Sequence, residues 1–87
     1  MSPSAVWSRL AVWPEGYFTV QFQSSRYGVT RSVHAGGRSM KLFAEQLGGS
    51  DFISLNIYLP AGGEPTLKPC EMPVDKVTAF VLGAEVE

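Results

Sequence analysis

Residues 36–59 read GGRSMKLFAEQLGGSDFISLNIYL: two apolar runs, 40–47 and 52–59, set on either side of Gly48, Gly49, Ser50 and Asp51. Glycines supply the positive-φ positions of a tight reversal and Asp51 an Asx side chain, so the segment predicts a hairpin around which the chain is built. In the second run Ile53, Leu55, Ile57 and Leu59 share one face, and Phe52, Ser54, Asn56 and Tyr58 the other. The first run fits two templates. Met40, Phe43, Ala44 and Leu47 make a helical stripe, with Ser39 and Gly48 placed as caps, whereas Met40, Leu42 and Ala44 make a strand face. We take the strand, because the segments on both sides read as strands and a tight hairpin then follows.

Upstream, residues 17–23 alternate Phe18, Val20 and Phe22 against Tyr17, Thr19 and Gln21, the period a half-buried strand requires. A polar break at Ser24 and Ser25 leads into 26–33, where Tyr27, Val29 and Val33 share a face with Arg31, while Gly28, Thr30, Ser32 and His34 point the other way. An arginine on an apolar face implies a strand end or bulge, where its head reaches water or a carboxylate. At the N-terminus Ser2, Pro3 and Ser4 would suit the cap of a helical turn, but Val6, Leu10 and Val12 alternate against Trp7, Arg9 and Trp13, and we read a strand. Trp13, Pro14, Glu15 and Gly16 then mark a turn.

Downstream, Pro60, Ala61, Gly62, Gly63, Glu64 and Pro65 form a surface loop, followed by a short strand over 66–70. Pro73 opens a helix over 73–82, with Asp75 near the positive end of its dipole and Val77, Phe80, Val81 and Ala84 on one stripe. Gly83 ends regular structure before an acidic tail. The predicted fold is α+β: an antiparallel sheet of four to six strands in meander order, flat or curled into a partly open barrel, with the C-terminal helix on its apolar face.

The 87 residues, 45% hydrophobic and 17% charged, make a single compact globular domain too small for two cores. Thin stability at this size makes self-association a natural expectation. One cysteine, Cys70, and one histidine, His34, exclude a disulfide framework and cannot complete a zinc site in one chain, so neither a metal nor a cofactor is expected. The opening residues lack the unbroken apolar core of a secretory signal, since Ser8 and Arg9 interrupt it, and no run approaches the roughly 20 apolar residues of a membrane span. Together these features predict a soluble cytoplasmic protein with no membrane partner.

Net charge is −1, but the charges are divided. Arg26, Arg31, Arg38 and Lys41 lie in a stretch without acids, and from Glu45 onward come Glu45, Asp51, Glu64, Glu71, Asp75, Glu85 and Glu87 against only Lys68 and Lys76. Such a division serves charge pairing across the sheet or between two copies, or alternatively an anion-binding face. The second sheet face carries Tyr17, Thr19, Gln21, Thr30, Ser32, His34, Lys41, Phe43, Ser54, Asn56 and Tyr58, with Trp7 and Trp13 or another subunit as its expected cover. Aromatic rings beside cations also make a stacking platform for single-stranded nucleic acid. The loop His34, Ala35, Gly36, Gly37, Arg38, Ser39 has the elements of an anion nest, without the spacing of a P-loop.

Catalysis has little to stand on: Cys70 and His34 are the available thiol and base, nothing in their spacing aligns them, and Glu71 beside Cys70 opposes a reactive thiolate. The expectation is a non-enzymatic interaction domain, protein-binding or homodimeric through the mixed face. Its candidate residues are Tyr17, Arg26, Thr30, Arg31, His34, Gly36, Gly37, Arg38, Lys41, Phe43, Asn56 and Tyr58. The alternative is a single-stranded nucleic-acid or anion-binding module centred on residues 26–41.

Overall fold

In the computed structural model, which describes residues 3–87, a helix α1 (Pro3–Ala11) precedes five strands: β1 (Gly16–Phe22), β2 (Ser25–His34), β3 (Ser39–Gln46), β4 (Phe52–Tyr58) and β5 (Thr66–Pro69). A second helix, α2 (Val74–Gly83), and a two-residue strand, β6 (Glu85–Val86), complete the chain. The sheet is open and antiparallel throughout, in the order β5-β4-β3-β2-β1-β6. The α+β class, the meander of β1 to β5 and the C-terminal helix follow the sequence pattern, and the barrel alternative does not form.

Alternation sets the register. Val29, Ala44 and Ile53 stand opposite one another on β2, β3 and β4, as do Arg31, Leu42 and Leu55. Val20, Val29, Leu42, Leu55 and Ile57 are fully buried beneath the helices. Residues 40–46 therefore belong to a strand, with Leu47 in the turn that follows: with burial alternating residue by residue along β3, a helix would have wrapped Leu42 away from the core. Phe80 of α2 lies at the centre of an aromatic cluster, its ring centroid 5.1 Å from Phe22, 5.0 Å from Tyr27 and 6.4 Å from Trp13, all edge-on.

The β1–β2 hairpin turns on Gln23 (φ 49°) and Ser24 (φ 67°), two left-handed residues whose twist matches that of paired strands. The β3–β4 connection closes through Gln46 N–H donating to the Asp51 carbonyl at 2.8 Å, with Gly48 at φ 78°.

Three expectations need correction. Residues 3–11 are helical rather than extended, because Val6 and Leu10, one turn apart, are both buried against the sheet, and Trp13 follows them into the core at 6% exposure. The alternation of that segment was a short-range coincidence with a helical stripe. Ser2, offered as a cap there, lies outside the described residues. Trp13 is thus core, with Trp7 packed against it, and neither covers the second sheet face. The acidic tail after Gly83 is ordered as β6, which pairs Val86 with Val20 and Glu85 with Gln21. Finally, Arg31 lies three residues before the end of β2, opposite Gly16 at the start of β1, yet its head reaches neither water nor a carboxylate: it is 7% exposed, its Nη2 donates to the Met40 sulfur at 3.3 Å and its Nε has no partner.

The helices are tied together by Arg9 of α1, whose Nε donates to the Val81 carbonyl at 2.9 Å and whose Nη2 donates to that of Ala84. Those carbonyls belong to the unsatisfied end of α2, where a cation also complements the helix dipole.

Candidate functional site

Both helices lie on one side, so the alternate residues of the strands form an open face. Register fixes its rows. The central row runs Tyr17, Thr30, Phe43, Ser54 across β1 to β4. On one side of it lie Ser32, Lys41, Asn56 and Lys68, then His34, Ser39, Tyr58 and Thr66. On the other side lie Thr19, Gly28, Glu45 and Phe52, then Gln21 opposite both Arg26 and Glu85.

The exposed rings of this face are Tyr17 (66%), Tyr58 (41%), Phe52 (39%) and Phe43 (38%). Phe43 and Phe52 stack obliquely at 6.3 Å, and Lys76 reaches round from α2 to within 5.9 Å of the Phe52 centroid. Tyr17 lies across β2 on the bare backbone of Gly28, where a Cβ would stand 3.0 Å from Tyr17 Cζ and closer still to its hydroxyl. Glycine at 28 is what lets this ring lie flat.

Charge is segregated along the strands. The end carrying Lys41 and Lys68 has no acidic side chain on its strands, and Arg38 leads into it, its carbonyl accepting a hydrogen bond from Leu59 N–H. The opposite end holds Glu45, Glu85 and Glu87. There Arg26 is committed: its Nη2 and Nε donate to the Glu87 carboxylate at 2.8 and 3.0 Å, Gln21 adds a bond at 2.7 Å and Thr19 another. These bonds, that of Arg26 foremost, hold the Glu87 carboxyl at a pKa of about 2. On the covered side, Asp51 accepts from Lys76 and from the Tyr27 hydroxyl, both at 2.7 Å. Burial, then this bond, raises the Tyr27 phenol to about 12, while Lys76 and then Tyr27 lower Asp51.

Of the residues singled out from the sequence, Tyr17, Thr30, His34, Lys41, Phe43, Asn56 and Tyr58 share the open face, and Arg26 joins them as an ion-paired group. Arg31 is on the other side. Gly36 and Gly37 lie in a 3-10 turn in which Ala35, Gly36 and Gly37 all have positive φ (53°, 64° and 92°), and the turn closes on itself through Arg38 N–H donating to the Ala35 carbonyl. Left-handed Gly37 is followed directly by Arg38 at φ −95° and ψ 0°. His34 hydrogen-bonds Ser32 at 2.9 Å, and Cys70, half-buried, takes a long contact of 3.6 Å from Asn56. Three strand spacings across the sheet and four residues along it, roughly 19 Å in all, separate thiol from imidazole. Among the described residues no three His, Cys, Asp or Glu side chains gather as metal ligands do, and no helix is long and apolar enough to cross a membrane.

One feature was invisible in the sequence: a cleft of about 360 Å³ between the start of α1, β5 and α2, lined by Pro3, Leu67, Val74, Asp75, Thr78 and Ala79. It exists only because residues 3–11 are helical and α2 crosses from the β5 edge toward the β6 edge. No protein-family model, curated protein or solved structure matches the chain.

Proposed function

We propose that this is a non-enzymatic interaction domain whose open sheet face is covered by protein, most simply by a second copy of itself. The observation that carries the reading is the exposure of Tyr17, Phe43, Phe52 and Tyr58 on a face from which both helices are absent. Four rings on an uncovered sheet are an apolar surface rimmed by charge, the composition of an interface with a hydrophobic centre and a polar edge. The distance between Cys70 and His34 supports the non-catalytic reading, and a single cysteine suits a reducing, cytoplasmic setting. Single-stranded nucleic acid is the rival. It retains Arg38, Lys41 and Tyr58, but Arg26 is engaged by Glu87 and Arg31 is on the covered side, so less supports it.

Amide-resolved NMR separates the two. A protein dilution series is expected to move Thr30, Phe43 and Tyr58, and a single-stranded oligonucleotide to leave them unmoved at low salt. Salt-sensitive shifts on Lys41 and Tyr58 with oligonucleotide, in a protein that shows no dilution dependence, would overturn the reading.

A further inference from the structure

Resting on that reading, we propose that the partner is a second copy stacked face to face about a two-fold axis that lies in the interface, perpendicular to the strands, along the row Tyr17, Thr30, Phe43, Ser54. The argument is charge and symmetry. Along β3 the open-face residues run Ser39, Lys41, Phe43, Glu45, so a cation and an acid flank a central ring at equal distances. An axis along the central row reverses the strand direction between copies and sets each Lys41 over the Glu45 of the other copy, Phe43 meeting its own equivalent between them. An axis parallel to the strands and running along β3 would instead set Lys41 against Lys41 and Glu45 against Glu45, repulsive at both ends, and one running between β3 and β2 would set them over Ser32 and Gly28. Only the first arrangement pairs charge.

The remaining rows agree with this choice. On β2 the same axis sets Gly28 over Ser32 and on β4 Phe52 over Asn56, so in the rows beside the centre no like charges meet. A closed isologous dimer results, in which no sheet face is left over. A face of five strand intervals by about seven residues offers roughly 500 Å² per copy, which puts the pair near the ~1,000 Å² that a specific interface needs. The affinity should therefore be modest, with the rim charges selecting the register.

Sedimentation equilibrium of Lys41→Glu, Glu45→Lys and their equimolar mixture tests the arrangement. Each single variant turns two attractive contacts into repulsive ones, and its dimer should be about tenfold weaker than that of the unaltered chain. The mixture should recover a dimer at least as tight, since one copy then presents two acids to the two lysines of the other. Rising salt should loosen the unaltered dimer and tighten each single variant. Circular dichroism of the exposed variants checks that folding is intact. A dimer indifferent to both substitutions overturns the register while leaving self-association standing. A chain that stays monomeric at high concentration overturns the second copy as partner, and salt-sensitive oligonucleotide shifts on Lys41 and Tyr58 in that monomer then remove the broader reading as well.

Discussion

The two faces of this sheet are made by the same strands, yet they obey different rules. Leu42 and Phe43 are neighbours on β3: Leu42 is fully buried under the helices and Phe43 is 38% exposed. On the covered face any apolar side chain of the right volume serves, and the one buried charge among the described residues, Arg31, has no ion-pair partner. On the open face burial asks for nothing, and still four rings are exposed there, with Lys41 and Lys68 at one end and the acids, with Arg26 bound to one of them, at the other. A pattern that folding does not require points to an interaction, whereas a pattern that burial requires says only how the chain folds.

The sharpest way to break this comparison is to truncate the two neighbours in turn. Leu42→Ala should destabilise the fold by about 3–4 kcal/mol in urea unfolding, because it removes buried methyl groups and leaves a cavity. Phe43→Ala should cost less than about 1 kcal/mol at concentrations where the chain is monomeric, since a part-exposed ring on an open face has little to lose. Equal losses would mean that the open face also serves the fold.

Arg31→Met probes the exception. Removing a buried charge that no carboxylate compensates, and replacing it with an apolar chain beside Met40, should raise stability by about 1–2 kcal/mol. A loss of stability on the same urea curve would show that the guanidinium is held by something worth more than its desolvation.

One group on each face titrates with opposite sign. Glu87, on the open face, has a folded pKa of about 2 against an ordinary 4.5, so its contribution is complete above pH 4.5 and is lost as pH falls toward 2. Tyr27, on the covered face, has its phenol raised from 10 to about 12; its contribution is complete below pH 10 and is lost as pH rises toward 12. Glu87→Gln should flatten the acid limb of a melting-temperature profile and leave the alkaline limb as it was, whereas Tyr27→Phe should flatten the alkaline limb and, by removing one of the bonds that lower Asp51, soften the acid limb as well. The smallest effect is expected at the β1–β2 turn, where Gln23 and Ser24 occupy left-handed conformations. Ser24→Gly should stabilise the hairpin by up to about 1 kcal/mol in the same assay, and a neutral result would mean that the extra freedom of glycine in the unfolded chain offsets the relief.

Strands β1, β2 and β4, the glycine reversal after β3 and the stripe of α2 were legible in the residues because each is a local pattern with one reading, whereas β3 also fitted a helical stripe and was assigned from the strands on either side of it. The mixed face followed from the same alternation, and with it most of the candidate site. The sequence by itself thus determined which side chains share a surface. Tertiary structure alone decided the rest: that residues 3–11 wind into a helix, that Glu87 comes back 61 positions along the chain to hold Arg26, that Arg31 is enclosed, and that a tail which looked unstructured adds a strand beside β1. The reason is one of range. Alternation and turn chemistry act between residues a few places apart, whereas burial of a short amphipathic segment and the pairing of distant charges depend on which surfaces the completed sheet presents.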